Sequence, residues 1–204
     1  MVRRIPIRNQ KGKLAACILV LLVCFLITGA GGTYSVQAQT NATEQTYSKS
    51  EIAQAMEGFF AEASEVVASA VERTFNRYGR PNGYIQGEEG SAAFFVGLRY
   101  GYGTLHLKSG RTRVVYWQGP SVGWDVGGNA SKVFTLVYNL HDIERLYQRF
   151  PGVEGSVYVI GGLSVNAQRS QDITLVPIRS GVGLRLGANV GYLQYTKEKG
   201  INPF

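Results

Sequence analysis

The residues able to do chemistry are few. Gly119-Pro120-Ser121-Val122-Gly123 satisfies G-x-S-x-G, the elbow that presents a nucleophilic serine where a strand turns into a helix. Its partners must follow in the order serine, acid, histidine. His141 is the only histidine beyond Ser121, and it precedes Asp142 and Glu144. His106 lies upstream, and a strand-like run follows the serine where a helix is needed. A glycine-flanked turn entering a strand is the better reading. Glu88 and Glu89 could serve as general acid and base, but neighbours on a strand point to opposite faces and cannot flank one bond. Glu89 before Gly90 reads as a turn residue. Asp125 could act only as a lone acid. Two separated histidines offer no clustered metal ligands, nothing resembles a calcium loop, and no glycine-rich phosphate loop precedes a helix. No cofactor is expected.

What remains is aromatic. Phe94, Phe95, Tyr100, Tyr102, Tyr116, Trp117, Trp124, Tyr138 and Tyr158 lie on expected strands. Most should fill a core. Alternate strand residues face outward, however, so some must line a cavity or a surface patch, and rings suit sugar faces or acyl chains. The candidate ligand or partner surface is Tyr100, Tyr116, Trp117, Trp124, Asp125, Asn129, Arg185 and Asn189.

Several of these belong to a repeat. Residues 121–129 (SVGWDVGGN) recur as residues 181–189 (GVGLRLGAN). With period two, Val122, Trp124 and Val126 share one face, as do Val182, Leu184 and Leu186. The other face carries glycines, one charge and an asparagine. Alternation of this kind belongs to a strand. Glycine inside a strand costs about 0.5–1 kcal/mol relative to alanine, so its density here implies bends, bulges or close backbone approach. If the copies are neighbours, Asp125 and Arg185 face each other across the ladder.

Other elements surround the repeats. Ser48-Lys49-Ser50-Glu51 is a capping box, and Ile52, Met56, Phe59, Phe60, Ala63, Val66, Val67, Ala70, Val71 and Phe75 follow at helical spacing. One helix of about 40 Å is expected, ending near Tyr78 before Gly79 and Pro81, and packed on a sheet. Short strands are expected at 84–88, 91–100, 104–107, 112–118, 132–139, 156–160, 163–169, 173–178 and 192–196, punctuated by glycines and with a hairpin tip at 108–111. A short helix is expected at 142–150, and the tail from Lys197 is charged. The fold class is α+β, mostly β. A small antiparallel β-barrel or strongly coiled sheet carries a long N-terminal helix.

Residues 1–38 read as a cleaved Sec-type signal peptide. Arg3, Arg4, Arg8, Lys11 and Lys13 form a positive start, residues 14–27 are apolar, and Val36-Gln37-Ala38 offers a small-residue cleavage site. That leader holds five of the 21 basic residues and none of the 14 acidic ones, so the rest carries only about +2. Export and near-neutral charge disfavour nucleic acid. Cys17 and Cys24 both leave with the leader, so the mature part needs a proper core. Residues 39–47 read as a flexible lead-in and residues 48–204 as a single domain.

The stretch 119–139 (GPSVGWDVGGNASKVFTLVYN), with 146–155 (LYQRFPGVEG) and 181–195, resembles the envelope integrity protein A family of alphaproteobacteria. The resemblance runs from the helix to the C-terminus. It implies a periplasmic small β-barrel protein that supports the cell envelope, with no established enzymatic activity. A glycine-rich strand followed by a short helix is also similar, in part, to lipid-binding SYLF domains. The leading expectation is a non-catalytic protein binding an envelope glycan, lipid or protein, with membrane contact peripheral at most. A lipid-binding barrel and a hydrolase of envelope polymers are the alternatives.

Overall fold

Two unusually long strands, β1 (Gly83–Leu107) and β2 (Thr112–Tyr138), form an antiparallel ribbon that supplies most of the sheet. The computed structural model describes residues 45–60, 64–180 and 191–200, leaving aside the side chains of residues 64, 91–97 and 121–130. The second nonapeptide therefore lies outside the described residues, and with it the Asp125–Arg185 pairing. The first nonapeptide is strand throughout, within β2.

The ribbon turns at the expected tip, where Gly110 takes a φ of +85° and Leu107 N–H donates to Arg111 O at 2.9 Å. The other glycines do not punctuate. Gly90, Gly101, Gly103 and Gly119-Pro120 all sit inside the long strands, with Arg99 paired to Gly119 and Leu98 to Pro120. No turn enters β2 at Ser121. Apart from Gly90, these glycines answer to close approach: a Cβ on Gly103 would stand 2.4 Å from Gln86 O, and one on neighbouring Gly87 would stand 2.1 Å from Tyr102 O. The two halves of β1 thus meet where the ribbon curls, and only glycine leaves room.

Among the described residues six short strands join the sheet: β3 (Arg149–Pro151), β4 (Tyr158–Ile160), β5 (Leu163–Val165), β6 (Gln168–Ser170), β7 (Ile173–Arg179) and β8 (Tyr192–Thr196). β7 pairs with one end of β2 and β8 with the other; β3 adds to β8, while β5 and β6 add to β7. A Gly152–Gln168 bridge ties the end of β3 back to β6, so the sheet curls round on itself. The helix expected over 142–150 is a single 3-10 turn, Ile143–Leu146, capped by Asp142. Tyr147 and Gln148 are bends, and β3 follows from Arg149, pointing Phe150 inward between exposed Arg149 and Pro151.

The N-terminal helical segment starts at the expected box, where Ser48 N–H donates to Glu51 Oε2 at 2.8 Å. It ends at Gly79, with φ +79°. It is not one rod. Helices α1 (Lys49–Phe60) and α2 (Ser64–Tyr78) lie side by side, since Lys49 Nζ meets Glu72 Oε2 at 2.6 Å. On one straight helix, 23 residues would separate them by about 34 Å.

Strict alternation sorts the apolar residues into two cores. Phe134, Leu136, Tyr138, Val176 and Ile178 face the helices, meeting Ile52, Met56, Val67 and Val71. Val133, Val137, Ile173 and Leu175 face the interior of the curl with Leu105, Phe150, Leu193 and Tyr195. β7 is consequently buried along its whole length.

His106 stacks on Tyr84 with ring centroids 5.0 Å apart, and burial lowers its pKa below the usual 6.5. Phe134 also stacks on Tyr84, with centroids 5.0 Å apart, and Tyr47 meets it edge-on at 5.2 Å. The folded state binds fewer protons here than the unfolded one, so its stability holds above pH 6.5 and falls on acidification through that value. His106→Phe should flatten this part of a melting-temperature profile between about pH 7 and pH 5.

Candidate functional site

Period two also aims polar groups into the curl. On β1, Ile85, Gly87 and Glu89 share a face, as do Arg99, Gly101, Gly103 and Leu105. On β2 the set is Val115, Trp117 and Gly119; on β7 it is Ile173, Leu175, Pro177 and Arg179. Glu89, Arg99, Trp117 and Arg179 therefore converge. Arg179 Nε donates to Glu89 Oε1 at 2.9 Å and Nη2 to Oε2 at 3.3 Å. Arg99 Nε lies 3.1 Å from the same Oε1, and Trp117 Nε1 donates to Oε2 at 2.9 Å. Arg179 Nη1 reaches Asn166 Oδ1 at 3.4 Å.

Glu89 is only 5% exposed. Burial alone would raise its carboxyl pKa, but the guanidiniums of Arg179 and Arg99, with the hydrogen bonds from Arg179 and Trp117, hold it below the usual value. It is ionised at neutral pH, acting as an anchor and not as a proton donor. The expectation of a turn at Glu89 fails because the strand runs on through Gly90. One carboxylate thus faces two guanidiniums.

Above Trp117 lies a cleft of about 270 Å³, lined by Tyr100, Gly101, Tyr102, Tyr116, Trp117, Gln118, Thr196, Lys199 and Gly200. On the inward face beneath it, a Cβ on Gly101 would stand 2.2 Å from Trp117 Cε2, so only glycine lets the buried indole lie across β1. Tyr102 and Tyr116 are directly paired across the ribbon, and Tyr102 is 55% exposed. The Tyr102 hydroxyl donates to Glu88 Oε2 at 3.3 Å. The cleft offers ring faces beside an amide, a hydroxyl and an ammonium. Such a set can hold a ring with polar edges and supplies no nucleophile–base pair.

Of the residues singled out from sequence, Tyr100, Tyr116 and Trp117 come together here, although Trp117 is buried as the cleft's floor. The backbone of Trp124, Asp125 and Asn129 runs in β2, where Trp124 pairs with Phe94, Asp125 with Ala93 and Asn129 with Ser91; their side chains lie outside the description. Arg185 and Asn189 are outside the described residues. Tyr138 packs beneath the helices. Arg99, Arg179 and Gln118 were not singled out and Glu89 was taken for a turn residue, yet Glu89, Arg99 and Arg179 lie in phase with apolar or glycine positions on their own strands. Ser121 sits within the continuous β2, without the strand-to-helix turn its motif needs. Among the described residues no group of acids, histidines or cysteines could hold a metal ion, and no helix is long and apolar enough to cross a membrane.

A family model described as envelope integrity protein A matches residues 45–204. A crystal structure of a beta-barrel-like, uncharacterized protein from Brucella abortus is 49% identical, covering 78% of this chain and 99% of that one, with a TM-score of 0.70. No curated protein matches the chain.

Proposed function

The chain belongs to the envelope integrity protein A family, and from that premise we propose that it is an exported, periplasmic protein that holds an envelope glycan without transforming it. Residues 1–38 act as its cleaved leader. The observation that carries the glycan reading is the cleft itself. Tyr100, Tyr102 and Tyr116 present rings, while Gln118, Thr196 and Lys199 supply hydrogen-bonding edges. Apolar ring faces surrounded by hydroxyls are what such a surface matches.

An acyl chain would need an apolar lumen. The interior of the curl is instead occupied by Leu105, Phe150, Leu193 and Tyr195, each at most 2% exposed. The ionised Glu89, held by two arginines, fits a scaffold better than a hydrolase.

Retention on purified cell-wall glycan tests the proposal. Tyr102→Ala and Tyr116→Ala should each weaken retention about tenfold, equivalent to about 1.4 kcal/mol, with melting temperatures close to that of the parent. Unchanged retention by both variants would remove the cleft from the account.

A further inference from the structure

Outward side chains on four neighbouring strands stand in one row. Tyr100 on β1 pairs with Gln118 on β2, Gln118 with Gln194 on β8, and Gln194 with Arg149 on β3. Directly paired residues share a face of a sheet. A ring, two amides and a guanidinium therefore follow one another over three strand spacings, about 14 Å. The far end is built as well as the near one. Arg149 Nε donates to Gln194 Oε1 at 3.3 Å, and its guanidinium lies 4.7 Å over the Tyr192 ring.

The C-terminal segment crosses this row at one point. Gly200 lies so close to Gln118 that a Cβ would come 2.7 Å from its Oε1. Among the described residues the segment is held by side chains at the surface, with Lys197 Nζ 5.2 Å over the Tyr147 ring. Lys197 Nζ meets Glu144 Oε2 at 2.6 Å, and Thr196 Oγ1 donates to Glu198 O at 2.7 Å. Both contacts are on the surface, where such interactions contribute little.

We propose that the row Tyr100–Gln118–Gln194–Arg149 is a groove for an extended glycan strand, and that residues 197–200 form a strap across its middle. The cleft above Trp117 is then the portion left open with the strap down. This rests on the glycan reading of the cleft. Evenly spaced planar and amide groups across neighbouring strands suit a polymer of linked rings, which can meet each in turn. The stacked guanidinium adds an attachment for acidic substituents along that polymer.

Calorimetric titration with N-acetylglucosamine oligomers of two and six rings separates the parts. Ending the chain at Thr196 should tighten six-ring binding about tenfold while leaving two-ring binding unchanged or weaker. Arg149→Gln in the shortened chain should abolish most of binding's gain for a six-ring strand bearing carboxylates. Six-ring affinity that does not rise, or rises equally for both lengths, overturns the strap and leaves the cleft reading standing. Failure of both lengths to bind any form overturns the cleft reading itself. If the shortened chain does not fold, the pair Gln118→Cys and Gly200→Cys in the full chain gives the converse. Oxidation should then weaken six-ring binding about tenfold relative to the same protein reduced, and equal affinities would overturn the strap.

Discussion

Glu89→Gln should lower the melting temperature by roughly 6–20 °C. The substitution keeps shape and volume but leaves Arg179 and Arg99 facing each other without a counter-charge, in a site where Glu89 is 5% exposed. Breaking a buried pair by removing one partner typically costs about 3–5 kcal/mol, because the surviving charge stays desolvated. For a domain of this size each kcal/mol shifts the melting temperature by about 2–4 °C. Arg179→Met should cost less, since Glu89 keeps Arg99 at 3.1 Å and Trp117 at 2.9 Å. That ordering separates this cluster from an ordinary ion pair, whose two truncations would be alike. Thermal melts at pH 7 read it directly, and a smaller loss for Glu89→Gln than for Arg179→Met would contradict the charge assignment.

Gly101→Ala should be the second costly change. The new Cβ would lie 2.2 Å from Trp117 Cε2 and 2.3 Å from Nε1, inside contact distance of a buried ring held by Glu89. The indole must move, which strains the packing by about 1–3 kcal/mol and pulls its donor away from the carboxylate. The melting temperature should fall by several degrees, and near-ultraviolet circular dichroism of the tryptophans should change. Gly58→Ala on α1 is the internal control. Nothing lies within 4 Å of its Cβ, and alanine favours the helix by about 0.5–1 kcal/mol, so this variant should be slightly more stable.

The residues made some of this legible and hid the rest for identifiable reasons. The capping box at Ser48, the helix end at Gly79 and the hairpin tip at Gly110 are local devices, and each appears as expected. The glycines of β1 and β2 misled because a turn and a close approach demand the same residue. Only the fold shows that Gly87 faces Tyr102 O and Gly101 faces an indole. The split between α1 and α2 was hidden because the apolar stripe continues from Phe59 and Phe60 to Val66 and Val67 without proline. Glu89 and Arg179 could have been found by phase: each continues an inward run, behind Ile85 and Gly87 or behind Leu175 and Pro177. Taking Glu89 before Gly90 as a turn residue obscured that. Gln118 and Lys199 were beyond reach, since only tertiary contact brings the C-terminal segment to β2.

An envelope glycan held in the ring-lined cleft on the outer face of the ribbon would perturb the residues around it, which nitrogen-15 NMR titration of the mature protein with cell-wall glycan fragments reads residue by residue. Shifts concentrated at Tyr100, Tyr102, Tyr116, Gln118, Thr196 and Lys199, saturating together, are the predicted result. Saturable shifts centred elsewhere, or none at millimolar fragment, would contradict it.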